Sequence, residues 1–126
     1  MMELDIEKEL ILLIESLNQY ISKIPEGCIK ISEYLRLNER DKAFRSIGDF
    51  VEGMEWISHS ISILERNDYL IIFNTTKMKD LLKEINIALE QQDDNLIADI
   101  FEYEAAIFFE EVNHSGIVVE NTKGKN

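Results

Sequence analysis

Apolar residues return along this 126-residue chain at the alternating steps of three and four that mark helices packed in a bundle. The longest unbroken case is Ala43, Ile47, Phe50, Met54, Ile57, Ile61 and Leu64, a 4-3-4-3-4-3 run that predicts one long helix with Asp41 as its N-cap. Nearer the N-terminus, Ile6, Leu10, Leu13, Leu17, Tyr20 and Ile24 repeat the same steps, and Ile14 and Ile21 widen them into a core-facing stripe. Pro25 disfavours helical geometry at Ile24 and suits the first turn of a new helix, so the pattern predicts a break there. Cys28, Ile31 and Leu35 then predict a short second helix ending near Asn38.

The segment Asp68 to Asn74, DYLIIFN, is too short for a typical helix and reads as a buried connection or an extra turn. Asn74 or Thr75 caps a further helix with Met78, Leu81, Leu82, Ile85, Ala88 and Leu89 inward. A polar break at Gln91 to Asp94 precedes the last helix, where Asp93 and Asp94 complement the positive end of the helix dipole. That helix carries Ile97, Ile100, Ile107 and Glu111 in 3-7-4 spacing, with Phe101 and Phe108 beside them. Glu104 falls four residues from both Ile100 and Phe108, which predicts a constrained carboxylate in the middle of the apolar seam. Ser115-Gly116 ends the helix. The expected fold is all-α, an antiparallel bundle of four long helices plus one short one. Residues 1–116 form the single domain, and 117–126 a flexible tail frayed through NTKGKN.

Composition narrows the classes. One Pro and five Gly leave too few turns for a sandwich or barrel, and helical spacing overrules the strand preference of nineteen Ile. A net charge of −12 opposes binding to a phosphate backbone or an anionic membrane. The longest apolar run, Leu10 to Ile14, is too short to cross a bilayer, and MMELDIEKE is acidic where a signal peptide is basic. With a single cysteine, Cys28, the expectation is a cytoplasmic protein.

Little in the chain points to a reaction. Glu111 and His114 form one Glu-x-x-His pair, and Glu55 to His59 has the wrong spacing for a second, so a di-metal bundle is not expected. Cys28 lies on the apolar stripe with no His near it in sequence, which favours a small buried hydrophobe over a nucleophile. No phosphate loop, dinucleotide fingerprint or nucleophile elbow is present. Trp56 sits one residue off the seam, at the core edge. Tyr103 and the Arg36–Arg45 region are the available partners for Glu104.

Charge arrangement carries more. From Glu84 to Thr122 the chain has ten acidic residues and no Lys or Arg, whereas Arg36, Arg40, Lys42 and Arg45 cluster around the junction of the short second helix and the long third one. These patches invite pairing, within one chain or across a two-fold dimer. The five apolar residues of Leu10 to Ile14 cover more than one helix face, a surplus that calls for a central place in the bundle or a partner.

The segment Ala88 to Glu104, ALEQQDDNLIADIFEYE, resembles an element A-L-x-x-x-D-x-x-x-L-A-D-x-x-E-Y-E near the C-terminal end of an uncharacterised family of short acidic helical proteins from low-GC Gram-positive bacteria. The matching positions are Ala88, Leu89, Asp93, Ile97, Ala98, Asp99, Glu102, Tyr103 and Glu104. Gly53, Glu55, Trp56 and Ile57 resemble its G-x-x-W-I-like element, while Ala105-Ala106 departs from the apolar-Pro step that follows E-Y-E. The resemblance spans about residues 40–112 and implies a helical bundle without an assigned activity. The reading is a non-enzymatic protein-interaction module, homodimerisation included, without cofactor and with Asp99, Glu102, Glu110 and Glu111 as its contact surface. The rivals are an export-chaperone-like binder of a client's amphipathic helix and a metal-binding bundle.

Overall fold

The computed structural model describes residues 2–117 and 119–122, and these are mostly helical. The first helix, α1 (Met2–Arg36), runs 35 residues without a break at Pro25, about 50 Å at 1.5 Å per residue. This corrects the expected stop and removes the separate short helix. The reason lies in the seam. Leu10, Leu17, Ile24 and Ile31 recur every seven residues, as do Ile21, Cys28 and Leu35, and all seven are buried on one continuous stripe. Breaking the helix at Pro25 would turn half of that stripe away from the core. Pro25 has no N–H for the carbonyl of Ile21, four residues back, but Asn113 Nδ2 donates to that oxygen at 3.1 Å. The last helix thereby closes the gap in the first.

α1 ends in a Schellman motif. Asn38 takes the left-handed conformation (φ 60°), Glu39 N–H donates to Tyr34 O at 2.8 Å, and Asn38 N–H donates to Leu35 O at 3.2 Å. Helix α2 (Arg40–Arg66) starts one residue before the expected cap, with Asp41 in its first turn and no side-chain cap at Glu39. Every member of the 4-3 run from Ala43 to Leu64 is buried. Tyr20 of α1 meets Trp56 of α2 edge-on at 5.6 Å and lies so close to Gly53 that a methyl group there would overlap its ring.

The DYLIIFN segment forms strand β1 (Tyr69–Ile71), which pairs antiparallel with β2 (Val119–Asn121). Thr122 donates both N–H and hydroxyl to Asp68 O, at 2.7 and 2.8 Å. Ile117 is buried. Of the expected flexible tail, Ile117 is packed and Val119–Thr122 are paired, while residues 118 and 123–126 lie outside those described. Phe73 turns inward into an aromatic cluster, 5.7 Å from Phe108 and 6.3 Å from Phe109. Phe50 joins it from α2, 5.1 Å from Phe101.

Helix α3 (Thr75–Glu90) is capped by Asn74, whose Oδ1 accepts from Lys77 N–H at 3.0 Å. It ends in a second Schellman motif at Gln92 (φ 55°), closed by Asp93 N–H to Ala88 O at 3.3 Å. Asp93 in turn caps the next helix through Leu96 N–H at 3.1 Å. That final rod consists of α4 (Asp94–Ile100), a π turn (Phe101–Ala105) and α5 (Ala106–Ser115). It runs antiparallel to α1, since Asp99 lies beside Arg36 and Asn113 beside Ile21. α1, α2 and this rod enclose the core, and α3 packs against α4.

Asn113→Ala is expected to cost about 1 kcal/mol in urea denaturation and distinctly less in a Pro25→Ala background, where a backbone N–H reclaims the Ile21 carbonyl. Gln92→Gly is expected to stabilise by about 1 kcal/mol in the same assay, because the left-handed geometry burdens a side chain but not glycine.

Candidate functional site

The π turn decides which side of the last rod faces outward. Each residue advances a helix by about 100°, and the turn inserts one extra residue, so every later side chain is rotated by that amount relative to an uninterrupted α-helix. The expected seam of Ile97, Ile100, Glu104, Ile107 and Glu111 holds only as far as Ile100. Beyond it Ala105, Ala106, Phe108 and Phe109 are buried and Val112 packs against them. Glu104 and Glu111 are exposed and Ile107 is 44% exposed, which corrects Glu104 from a seam position to the surface. Energetics favour this register. An uninterrupted helix would press Glu104 and Glu111 into the core, at several kcal/mol each, and turn Phe109 outward, forfeiting about 1.5–3 kcal/mol.

The acidic residues chosen from the sequence divide into two sets. Arg36 Nη2 donates to Asp99 Oδ1 and Glu102 Oε1, both at 2.9 Å, and Arg36 Nε donates to Glu102 Oε1 at 3.2 Å. Arg40 Nε donates to Asp94 Oδ2 at 2.8 Å. The basic cluster and the acidic helix thus meet within one chain, and Asp99 and Glu102 serve the fold before any partner. Glu110 and Glu111 are exposed and form no ion pair among the described residues.

Glu104 faces α3, not the arginines. It shares a cavity of about 320 Å³ with Lys77, Asp80, Glu84, Tyr103 and Ile107. A second cavity of about 230 Å³, lined by Ile72 and Glu111, shares Lys77 and Phe108 with the first, so the two lie side by side between α3 and the rod and are together termed the acidic groove. Lys77 Nζ stands 5.6 Å above the Phe108 ring where the two halves join. Asp80, Glu84, Glu104 and Glu111 outnumber this single cation. The Glu104 carboxyl is pushed above the ordinary carboxylate range, first by its partial removal from water and then by the hydrogen bond and repulsion from Glu84, with Lys77 acting in the opposite sense. Tyr103 is 59% exposed, and its hydroxyl is raised chiefly by its hydrogen bond to Glu102.

The α3 side of this groove escaped the sequence reading. Lys77, Asp80 and Glu84 do form a polar stripe at i, i+3 and i+7, but nothing local says which helix faces it. The remaining candidates stand apart. Cys28 is buried and its thiol is pushed up to about 12 by that burial, a state suited to packing, not to nucleophilic attack. Glu55, His59, Glu111 and His114 are exposed, and among the described residues no three metal-type ligands come together. No described helix is long and apolar enough to cross a membrane.

A family model for a domain of unknown function, DUF8042, matches residues 12–115. The chain belongs to the DUF8042 family. That span takes in α2, α3 and the whole final rod, together with most of α1. No curated protein and no solved structure matches the chain. In this DUF8042 protein the Glu102-Tyr103-Glu104 motif forms the π turn, with Glu102 held by Arg36 and the other two lining the groove.

A raised folded-state pKa on an acid means that the native state holds its proton more tightly, so stability is lost as pH rises through that pKa. Glu104→Gln is therefore expected to melt above the parent at pH 7, and the gain should fade as pH falls to the ordinary carboxylate value of 4.5. Thermal scans across this range test it; equal melting temperatures at pH 7 would contradict the assigned strain.

Proposed function

We propose that this protein is a non-enzymatic, cytoplasmic protein-interaction module whose docking surface is the acidic groove between α3 and the π-turn rod. Its occupant is an amphipathic segment that carries Lys or Arg beside apolar anchors. The observation behind this reading is the π turn, a distortion that sets Tyr103, Glu104, Ile107 and Glu111 along the groove instead of in the core. Apolar contact area edged by like charges supplies both affinity and partner choice, in the helix-in-groove manner. An export-chaperone-like role is the same mode with a client's helix as the occupant. An origin among low-GC Gram-positive bacteria is part of this proposal, supported by the motif resemblance at Ala88 to Glu104. Homodimerisation is a second reading, favoured by Ile11 and Leu12, which stay 50% and 52% exposed on α1.

Labelled basic and acidic amphipathic peptides with one apolar pattern separate these possibilities by fluorescence anisotropy. The basic peptide is expected to bind, to weaken with added salt, and to be lost in the Glu104→Lys, Glu111→Lys double variant. Binding of the acidic peptide with equal affinity, or indifference to the charge reversals, would sink the groove assignment. Sedimentation of the parent beside Leu12→Glu tests the second reading: a dimer released by the substitution supports it, and a monomeric parent ends it.

A further inference from the structure

A separate cavity of about 240 Å³ lies between α1 and α2, away from the residues that line the acidic groove. Its walls are mainly apolar, with Ile24, Ile31, Tyr34 and Phe50 among them. It exists because the facing positions are small. Gly27 and Ser46 line it, and a methyl group added at Gly27 would meet nothing within 4 Å. Tyr20, one of the lining side chains, is held against Gly53 and edge-on to Trp56, and so does not fill the space. The cavity opens to solvent on the side of Lys23, Gly27, Lys30 and Asp49, which are all exposed, while Ile24, Ile31 and Phe50 at its base are buried.

Two lysines, Lys23 and Lys30, line the same cavity seven residues apart on α1. In a chain with 25 acidic and 13 basic residues, neither forms an ion pair among the described residues. Asp49 is the one carboxylate among the lining residues. Burial keeps the Tyr20 hydroxyl protonated well into the alkaline range, so it is a donor and not a competing anion.

We infer that this cavity binds a small amphipathic monoanion, its head between Lys23 and Lys30 and its apolar body against Ile24, Ile31 and Phe50. Asp49 opposes the head group and limits affinity, leaving the rim one net positive charge, which a monoanion balances. The binding is independent of the acidic groove and of any protein partner.

Trp56, the single tryptophan, lines an adjoining depression that shares Tyr20 and Asp49, so its emission reports on the cavity. Titration of the full chain with octanoate, octanol and octyltrimethylammonium, followed by Trp56 fluorescence and by calorimetry, tests the proposal. Octanoate is expected to bind saturably at one site per chain, ahead of octanol, with the cation weakest. Lys23→Gln and Lys30→Gln should each weaken octanoate about two- to fivefold, as expected for solvent-exposed charge contacts. Asp49→Asn should tighten it, and Gly27→Leu should abolish it while circular dichroism shows the helices retained. The proposal is overturned by the absence of a saturable octanoate response, by octanol binding as tightly, or by lysine variants that bind as the parent does. Parent-like binding by a folded Gly27→Leu variant would also overturn it.

Discussion

Everything in this protein is arranged around an unbroken α1. Its stripe from Leu10 to Leu35 packs against α2, α4, the π turn and α5. The hydrophobic term that holds it straight acts over the whole length, whereas the penalty of Pro25 is local: one missing donor and a crowded ring. Asn113 supplies that donor to the Ile21 carbonyl, so the weakest point of the first helix is also where the last one is pinned in register. Once that contact is set, the rod's other end falls beside Arg36, and the guanidinium gathers Asp99 and Glu102.

With both ends of the rod fixed against α1, its middle has to reconcile two demands. The phenylalanines at 101, 108 and 109 belong in the aromatic cluster with Phe50 and Phe73. Glu104 and Glu111 cannot follow them inside at acceptable cost. A single inserted residue satisfies both: the hydrogen-bond ladder is loosened for one turn, Ala105 and Ala106 take the crowded inward positions, and the carboxylates emerge beside α3. The acidic groove is thus a consequence of core packing as much as of surface composition. The same reasoning explains why the acidic helix is not uniformly available, since Asp94, Asp99 and Glu102 in its first half are paired with Arg36 and Arg40, whereas Glu110 and Glu111 in its second half form no ion pair among the described residues.

The rims differ in character. Along α3 and α5 the carboxylates outnumber Lys77, which suits a basic segment. Between α1 and α2 the lysines outnumber Asp49 around an apolar hollow, which suits a small anion. A chain of net charge −12 therefore keeps two chemically distinct surfaces, because helix periodicity sorts its few cations to particular faces.

What the sequence by itself determined is whatever depends on a residue and its near neighbours. The 4-3 run of α2, the helix start at Asn74, the acidic start of the last helix at Asp93 and Asp94, a helix end near Asn38 and the burial of Cys28 are of this kind. Hydrophobic spacing and short side-chain-to-backbone bonds need no knowledge of the rest of the fold. Only the tertiary structure decided the fate of Pro25, the pairing of Tyr69–Ile71 with Val119–Asn121, and the outward turn of Glu104. In each case a local preference competes with contacts made far along the chain, and the outcome follows from which buried area is larger. A proline stops a helix unless a neighbour replaces its missing hydrogen bond, and a helical period holds only until the core gains more from an extra residue than the ladder loses.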